Sequence, residues 1–308
     1  MATSSGHRPN GRTPLHEPAM VSDVLSHLRV ERGDAVLDLT VGTGGHSLAL
    51  AEAVGSDGLL VGIDADEDAL RVARTRLEEK APCPFKLFAA RFSSARRVAR
   101  EAGVETFNAA LADLGVGTHQ LMDASRGFSF DSEARLDMRY DPTTGPSAWD
   151  VVNRESEDEL ADIFYEYGEE RYSRQIAARI CEERPIETAA ELADLIKNVV
   201  ARRTPRRRTW RIHPATRVMM ALRIYVNREF EELEAMLDTL PDLLARDARA
   251  GIITYHSLEA RRVKHTWRRQ ARDGLMEELS DSPWMPAEDE VEKNPRVRSA
   301  QLRVARRL

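Results

Sequence analysis

Short apolar runs alternate with segments of helical period over the first third of the chain. AVLDL (35–39) and LLVGID (59–64) read as strands, each carrying an acid near its end. HSLALAEAV reads as a helix. So does DEDALRVARTRLEEK, which has Leu70, Val72, Ala73 and Leu77 at helical spacing and Asp66 suited to an N-cap. FKLFAA and NAALADLGV are two further strands, separated by the helical SARRVAREAG. Such alternation predicts a parallel sheet with helices on both faces. Right-handed crossovers then bring every strand's C-terminal end to one edge.

The period is lost after DLGV, through MDASRGFSFDSEARLDMRYDPTTG, which is rich in turn formers. Helical patterns return in AWDVVNRESEDELADIFYEYG, EERYSRQIAARICEE and TAAELADLIKNVV. One long helix, PATRVMMALRIYVNREFEELEAMLDTL, follows, and then a strand in AGIITYHS. Leu160, Ile163 and Phe164 are expected in a helical core. The division is a disordered leader at 1–12, a core at 13–120 and 214–308, and a helical insertion at 121–213. No internal repeat is present.

Composition narrows the class. Of 308 residues 42% are hydrophobic, enough for a real core, and 31% are charged. No stretch reaches the roughly 18–20 apolar residues that span a bilayer, and the N-terminus lacks the apolar core of a secretory signal. The two cysteines, Cys83 and Cys181, form neither a disulfide framework nor a metal-ligand spacing, which fits a reducing cytoplasm and no metal. A net charge of −6 argues against a general polyanion binder. Locally, however, ARRTPRRRTWR (201–211) gathers six arginines that could track phosphates, with a solvated loop as the alternative.

The candidate chemistry starts at DLTVGTGGHS. A glycine turn after the first strand presents backbone N–H groups and a helix start to a ligand. Gly42, Gly44 and Gly45 match only part of the dinucleotide fingerprint G-x-G-x-x-G. Asp38, before the turn, suits an amino group and would repel a diphosphate. Asp64, about twenty residues after the glycines, is placed to accept ribose hydroxyls. Together they fit S-adenosylmethionine; a nicotinamide dinucleotide is the alternative.

At this point the chain resembles a known family. LHEPAM, DLTVGTGGHS, GIDADEDAL, LADLGVGTHQLMDASRGFSF, LDMRYDP, YGEERYSRQIAARI, HPATRVMMALRIYVNREFEELE, ITYHSLEARRVK and KNPRVRSAQLRVARR occur in the order found in bacterial 16S rRNA cytosine-N4 methyltransferases. RGFSF, LDMR and HPATR are not general methyltransferase features. The resemblance implies a class I S-adenosylmethionine-dependent methyltransferase fold: α/β, Rossmann-like and doubly wound, with the helical insertion as an RNA-side wall. It implies methylation of a decoding-site cytidine in the small ribosomal subunit, and it leaves a homodimer open. Donor contacts carry over to Gly44, Gly45, His46, Asp64, Phe92, Asp113 and Gln120. The chain departs from the family at Thr43, at GTHQ (117–120), at Ala260 and at LARDARAG.

Asp113 ends the fourth strand on the reactive edge. It is expected either to accept from the cytosine N4–H during transfer or to hold the donor. Pocket and rim positions expected to meet the base are Arg126, Phe128, Asp137, Arg139, His213, Arg217, Arg223, Asn227, His256 and Ser257. Asp137 and Arg139 could instead pair with each other, and Arg223 could close the insertion. The rival functions are methylation of another acceptor and a catalytically silent RNA-binding paralogue. DLGV in place of DPPY disfavours the common DNA amino-methylases.

Overall fold

The computed structural model describes residues 18–203 and 213–308. The leader expected at 1–12, and the arginines at 206–208 and 211, lie outside the described residues.

Seven strands form one sheet: β1 (Ala35–Asp38), β2 (Leu59–Asp64), β3 (Phe85–Ala89), β4 (Phe107–Asp113), β5 (Leu244–Thr254), β6 (Met276–Glu278) and β7 (Gln301–Arg307). Their order is β3-β2-β1-β4-β5-β7-β6. β1 pairs in parallel with β2 and β4, β2 with β3, and β4 with β5, whereas β7 is antiparallel to both β5 and β6. This is the expected class I methyltransferase sheet. The chain reverses its winding direction between β1 and β4, which is where such sheets open a crevice.

Alternate residues of each strand face opposite sides, and both sides are buried. Leu37, Val61, Ala110 and Ile252 pack with α4 (Ala95–Ala102), α11 (Glu229–Leu243) and α12 (Ser257–Arg272). Their neighbours Val36, Leu60, Leu111 and Ile253 pack with α1 (Val21–Leu28), α2 (Gly45–Val54) and α3 (Glu67–Lys80). As expected, Asp66 caps α3, its carboxylate accepting from the Asp68 and Ala69 N–H groups.

After the short α5 (Thr118–Met122), a separate apolar core forms. It gathers α6 (Ala148–Arg154), α7 (Glu157–Glu166), α8 (Ser173–Glu183), α9 (Ala189–Arg203) and α10 (Thr216–Asn227). Leu160, Ile163 and Phe164 are buried in it as expected. Two helix readings change. The pattern from 148 to 168 is two helices, because Ser156 caps α7 by accepting the Glu159 N–H. The long helix predicted through 214–240 breaks at Arg228, whose φ of 54° is left-handed. The break has a packing cause. Val218 and Leu222 of α10 face the insertion core, while Leu233, Leu237 and Leu240 of α11 face the sheet, and one straight helix cannot serve both. The helical unit therefore runs through Asn227, beyond the boundary expected at 213. α13 (Glu288–Lys293) precedes β7. Among the described residues no helix is long and apolar enough to cross a membrane.

Gly62, in the middle of β2, stands where no side chain fits. A Cβ there would stand 2.5 Å from Val41 Cγ2 and 2.7 Å from Leu87 Cδ2. Gly62→Ala is expected to cost about 1–3 kcal/mol through overpacking. The measurement is a urea midpoint that falls with an unchanged slope.

Candidate active site

The glycine turn is tied down from below. Asp38, at the end of β1, is fully buried. Its Oδ2 accepts from the Ser47 hydroxyl at 2.6 Å and its Oδ1 from the Thr40 N–H at 3.0 Å. Burial pushes its pKa up, opposed by the Ser47 hydrogen bond. Gly44, with φ of 80°, lets the start of α2 approach α3; a Cβ would lie 3.2 Å from both Ala73 Cα and Cβ. Asp64 closes β2 and grips the turn from the side. Its Oδ2 accepts from the Gly42 N–H at 2.7 Å and its Oδ1 from the Asp66 N–H at 2.8 Å. Burial raises the Asp64 pKa to about 6, despite these two bonds.

Above the turn lies a cleft of about 1040 Å³, at the C-terminal ends of β1, β2, β4 and β5. Of the residues expected at the site, Gly42, Gly45, His46, Asp64, Phe92, Asp113, Gln120, Arg223 and His256 line it. Asp113 sits at its floor. The carboxylate accepts from the Tyr255 hydroxyl at 2.8 Å, and its backbone N–H donates to Thr40 Oγ1 at 2.6 Å. His46 Nε2 stands 3.5 Å from Asp113 Oδ2, an ion-pair separation rather than a formed hydrogen bond. The imidazole is buried, and neither ring nitrogen has a hydrogen-bond partner among the described residues. Gln120 is held by the Gly117 N–H on Oε1 and by Asp66 on Nε2. Beyond Asp113, His256 caps α12 and lies 3.0 Å from Glu259, whose other oxygen accepts the Tyr255 N–H at 2.9 Å.

The other expected residues do not line the cleft. Asp38 and Gly44 act on the turn from behind, so they shape the donor side without facing it. Arg126 is committed to a salt bridge with Asp66 and to the carbonyls of Arg139 and Tyr140 at 2.9 and 2.8 Å. Phe128 is buried in the insertion core. Asp137 and Arg139 pair with each other through two hydrogen bonds of 2.9 and 2.7 Å, which pulls the Asp137 pKa down against burial. His213 stacks on Phe130 with ring centroids 4.7 Å apart, and Arg217 donates to the Glu169 carbonyl at 2.9 Å. Asn227 is buried, bonded to Met138, Arg223 and Tyr140. Ser257 is exposed at the start of α12. Sequence reasoning passed over Tyr140, Glu229, Tyr255 and Glu259, all of which line the cleft. Tyr255 was within reach, since it sits between Thr254 and His256 at the strand's end. Glu259 carried the spacing of a capping box.

These residues suit a sulfonium nucleoside. Asp64, Asp113, Asp123, Glu229 and Glu259 outnumber Arg223 and Arg296 in the lining, which favours a cationic ligand and opposes a diphosphate. Asp64 retains lone pairs for a ribose diol after accepting two N–H groups. The orphaned nitrogens of His46 call for a polar partner. At about 1040 Å³ the space stands at the upper end of the roughly 300–1,000 Å³ common for small-ligand pockets, a size that suits a donor with an acceptor base beside it.

Comparison with known proteins agrees with this geometry. Residues 13–308 match the model of the MraW methylase family. The ribosomal RNA small subunit methyltransferase H of Koribacter versatilis is 43% identical over 298 residues, spanning 95% of this chain and 94% of that protein. The protein of the same name from Nostoc punctiforme is 45% identical over 293 residues, with 95% and 94% covered. The crystal structure of an rRNA methylase from Streptococcus thermophilus is 11% identical and covers 96% of this chain and 99% of that one at a TM-score of 0.41. With its seven-stranded sheet doubly wound as expected from its sequence, the chain belongs to the MraW methylase family.

Proposed function

We propose that this protein transfers the methyl group of S-adenosylmethionine to the exocyclic N4 amine of a decoding-site cytidine in the 16S rRNA of the small ribosomal subunit, acting in the cytoplasm. The relatives named for small-subunit rRNA support the substrate class. The observation that carries the reading is Asp113, an acceptor held between Tyr255 and His46 at the floor of a cleft wide enough for two ligands.

The cytosine N4 lone pair is delocalised into the ring, so the amine is a weak nucleophile. Its reaction needs alignment and an acceptor for the proton that becomes acidic as the N–C bond forms. When bound, S-adenosylmethionine supplies an activated methyl on a sulfonium. Transfer would form the N4–C bond, leave the electron pair of the broken S–CH3 bond on sulfur and release one N4 proton. Asp113 Oδ2 faces His46 and is the acceptor for that proton. The Tyr255 hydroxyl occupies Oδ1 and fixes the carboxylate's orientation. Asp64 in its ionised form takes the donor's ribose hydroxyls, and Phe92 offers an aromatic surface to the adenine. The base enters unstacked, since its edge is hidden in a helix.

Two outcomes test this. With unmethylated small subunits and labelled donor, nucleoside analysis of the rRNA is expected to find N4-methylcytidine; any other methylated nucleoside overturns the proposed acceptor. Asp113→Asn is expected to keep donor affinity while turnover falls about 10²–10⁴-fold. Unchanged turnover would reduce Asp113 to a donor contact.

A third outcome concerns pH. Because burial lifts Asp64 to about 6, the carboxylate protonates as pH falls through that value and loses acceptor capacity. Donor affinity by calorimetry is expected to drop there, approaching about tenfold per pH unit. Asp64→Asn is expected to bind donor weakly with no inflection near pH 6. For folding the sign is opposite. The native state binds the Asp64 proton more tightly than the unfolded chain, so this group's contribution to stability falls as pH rises from about 4 to 6.

A further inference from the structure

On the cleft side built by α10, α11 and the start of α12, several polar groups lie out of water and the transfer chemistry leaves them unused. Arg223, 14% exposed, donates from Nε and Nη2 to the two oxygens of Glu229 at 2.7 and 2.8 Å. The Tyr140 hydroxyl donates to the same carboxylate at 2.7 Å. Burial works against the Arg223 charge, but Glu229 and Tyr140 outweigh it and the guanidinium is held ionised. Arg223 Nη1 makes no hydrogen bond among the described residues. A buried ion pair is seldom more stabilising than a packed apolar pair. Setting one on a cleft wall with a donor nitrogen left over points to a ligand.

This wall is joined to the reactive acid. Asp113 accepts from the Tyr255 hydroxyl, and the Tyr255 N–H donates to Glu259. Arg223 is close enough to Glu259 to help lower its pKa, with His256, against burial. Asp113 and Arg223 both line the cleft, as do Tyr255 and Glu259, which link them. An ionised carboxylate only accepts hydrogen bonds, and a guanidinium only donates. The Watson–Crick edge of cytosine offers the complement: N4–H donors at one end, N3 and O2 acceptors at the other. Uracil puts a carbonyl where Asp113 needs a donor.

We infer that Arg223, oriented by Glu229 and Tyr140, is a specificity-determining residue that reads the acceptor ring by donating from Nη1 to its N3–O2 side while Asp113 takes the amine. The inference rests on the reading of the acceptor as a cytidine, and the experiment separates the two. The intact protein is saturated with S-adenosylhomocysteine, and its affinities for cytidine and uridine 5′-monophosphate are compared by calorimetry. The wild type is expected to prefer the cytidine nucleotide at least tenfold. Arg223→Lys keeps a positive charge for Glu229 but lacks the planar third nitrogen. It is expected to lose that preference through roughly 10- to 100-fold weaker cytidine binding, the range for a hydrogen bond from a charged group. Uridine and S-adenosylhomocysteine affinities are expected to stay unchanged.

Glu229→Gln, which removes the charge of the fork that aims the guanidinium, is expected to shift the same preference in the same direction. A wild type that prefers cytidine alongside an Arg223→Lys variant that still does overturns the role of Arg223 and leaves the cytidine reading intact. A wild type that binds neither nucleotide, or both equally, overturns the acceptor reading and this inference with it. Loss of S-adenosylhomocysteine binding in Arg223→Lys would make the residue a structural support of the whole cleft and also overturn the inference.

Discussion

A carboxylate taken wholly out of water must find its hydrogen bonds inside the protein, and the site is organised around how Asp38 does so. One oxygen takes the Ser47 hydroxyl and the other the Thr40 N–H. Ser47 lies in the first turn of α2, next to His46, so that bond sets where the helix begins and where the imidazole points. Thr40 passes the constraint on, because its hydroxyl accepts the Asp113 N–H across the β1–β4 boundary. The two groups that meet at the cleft floor are thus positioned from one buried acid that neither ligand needs to touch. Asp38 was expected to face the donor's amine. Its actual place, one layer behind, orders the surface that does.

A second buried acid joins the sheet to the insertion. Asp66 caps α3 and also receives His119, Gln120 and Arg126, which hold its pKa well below the ordinary range despite burial. Arg126 continues into the insertion by bonding two successive carbonyls, at Arg139 and Tyr140. From the other end Asn227 bonds Met138, Tyr140 and Arg223. The aperiodic stretch between β4 and α6 has few regular backbone partners, and these side chains supply them. Arg126, Asp137, Arg139 and Asn227 thus build the wall on which Tyr140 and Arg223 are presented.

The five parallel strands were legible in the sequence because burial on both faces leaves continuous apolar runs, and strand ends mark one edge. β6 and the antiparallel β7, short or rich in arginine, carried no such run and were not read as strands. Asp64 and Asp113 could be placed for the same reason, as strand ends on that edge, whereas His46 was carried over from the family resemblance. The insertion was less legible. RGFSF and LDMR lie where no period relates position to direction, so nothing in the sequence shows that Asp137 turns to Arg139 or that Phe128 points inward. The break at Arg228 was hidden because both flanking segments carry strong helical periods. What differs is the surface each stripe meets, and that is a tertiary fact. Tyr140 and Glu229 escaped for a related reason, since their meeting joins an aperiodic loop to the helix that follows the break.

The charge of the cleft bears on how a polyanion could be its substrate. The protein carries a net charge of −6, and the cleft concentrates acids at Asp64, Asp113, Glu229 and Glu259. That field suits a sulfonium and an amine, and it opposes a phosphate chain. On the proposed function, then, the backbone of the RNA stays outside and only a base crosses the rim, as base extrusion requires. The field also sets the order of difficulty within the site. An acid at the floor raises the local cost of any other anion, so an entering ring that places a carbonyl against Asp113 meets repulsion with no water to relieve it. One that places an amine there completes a hydrogen-bond set that the protein has already oriented. On that reading, selection by the electrostatics of the floor and acceleration by the same carboxylate would be two consequences of one placement, the end of β4 held against Thr40 and Tyr255.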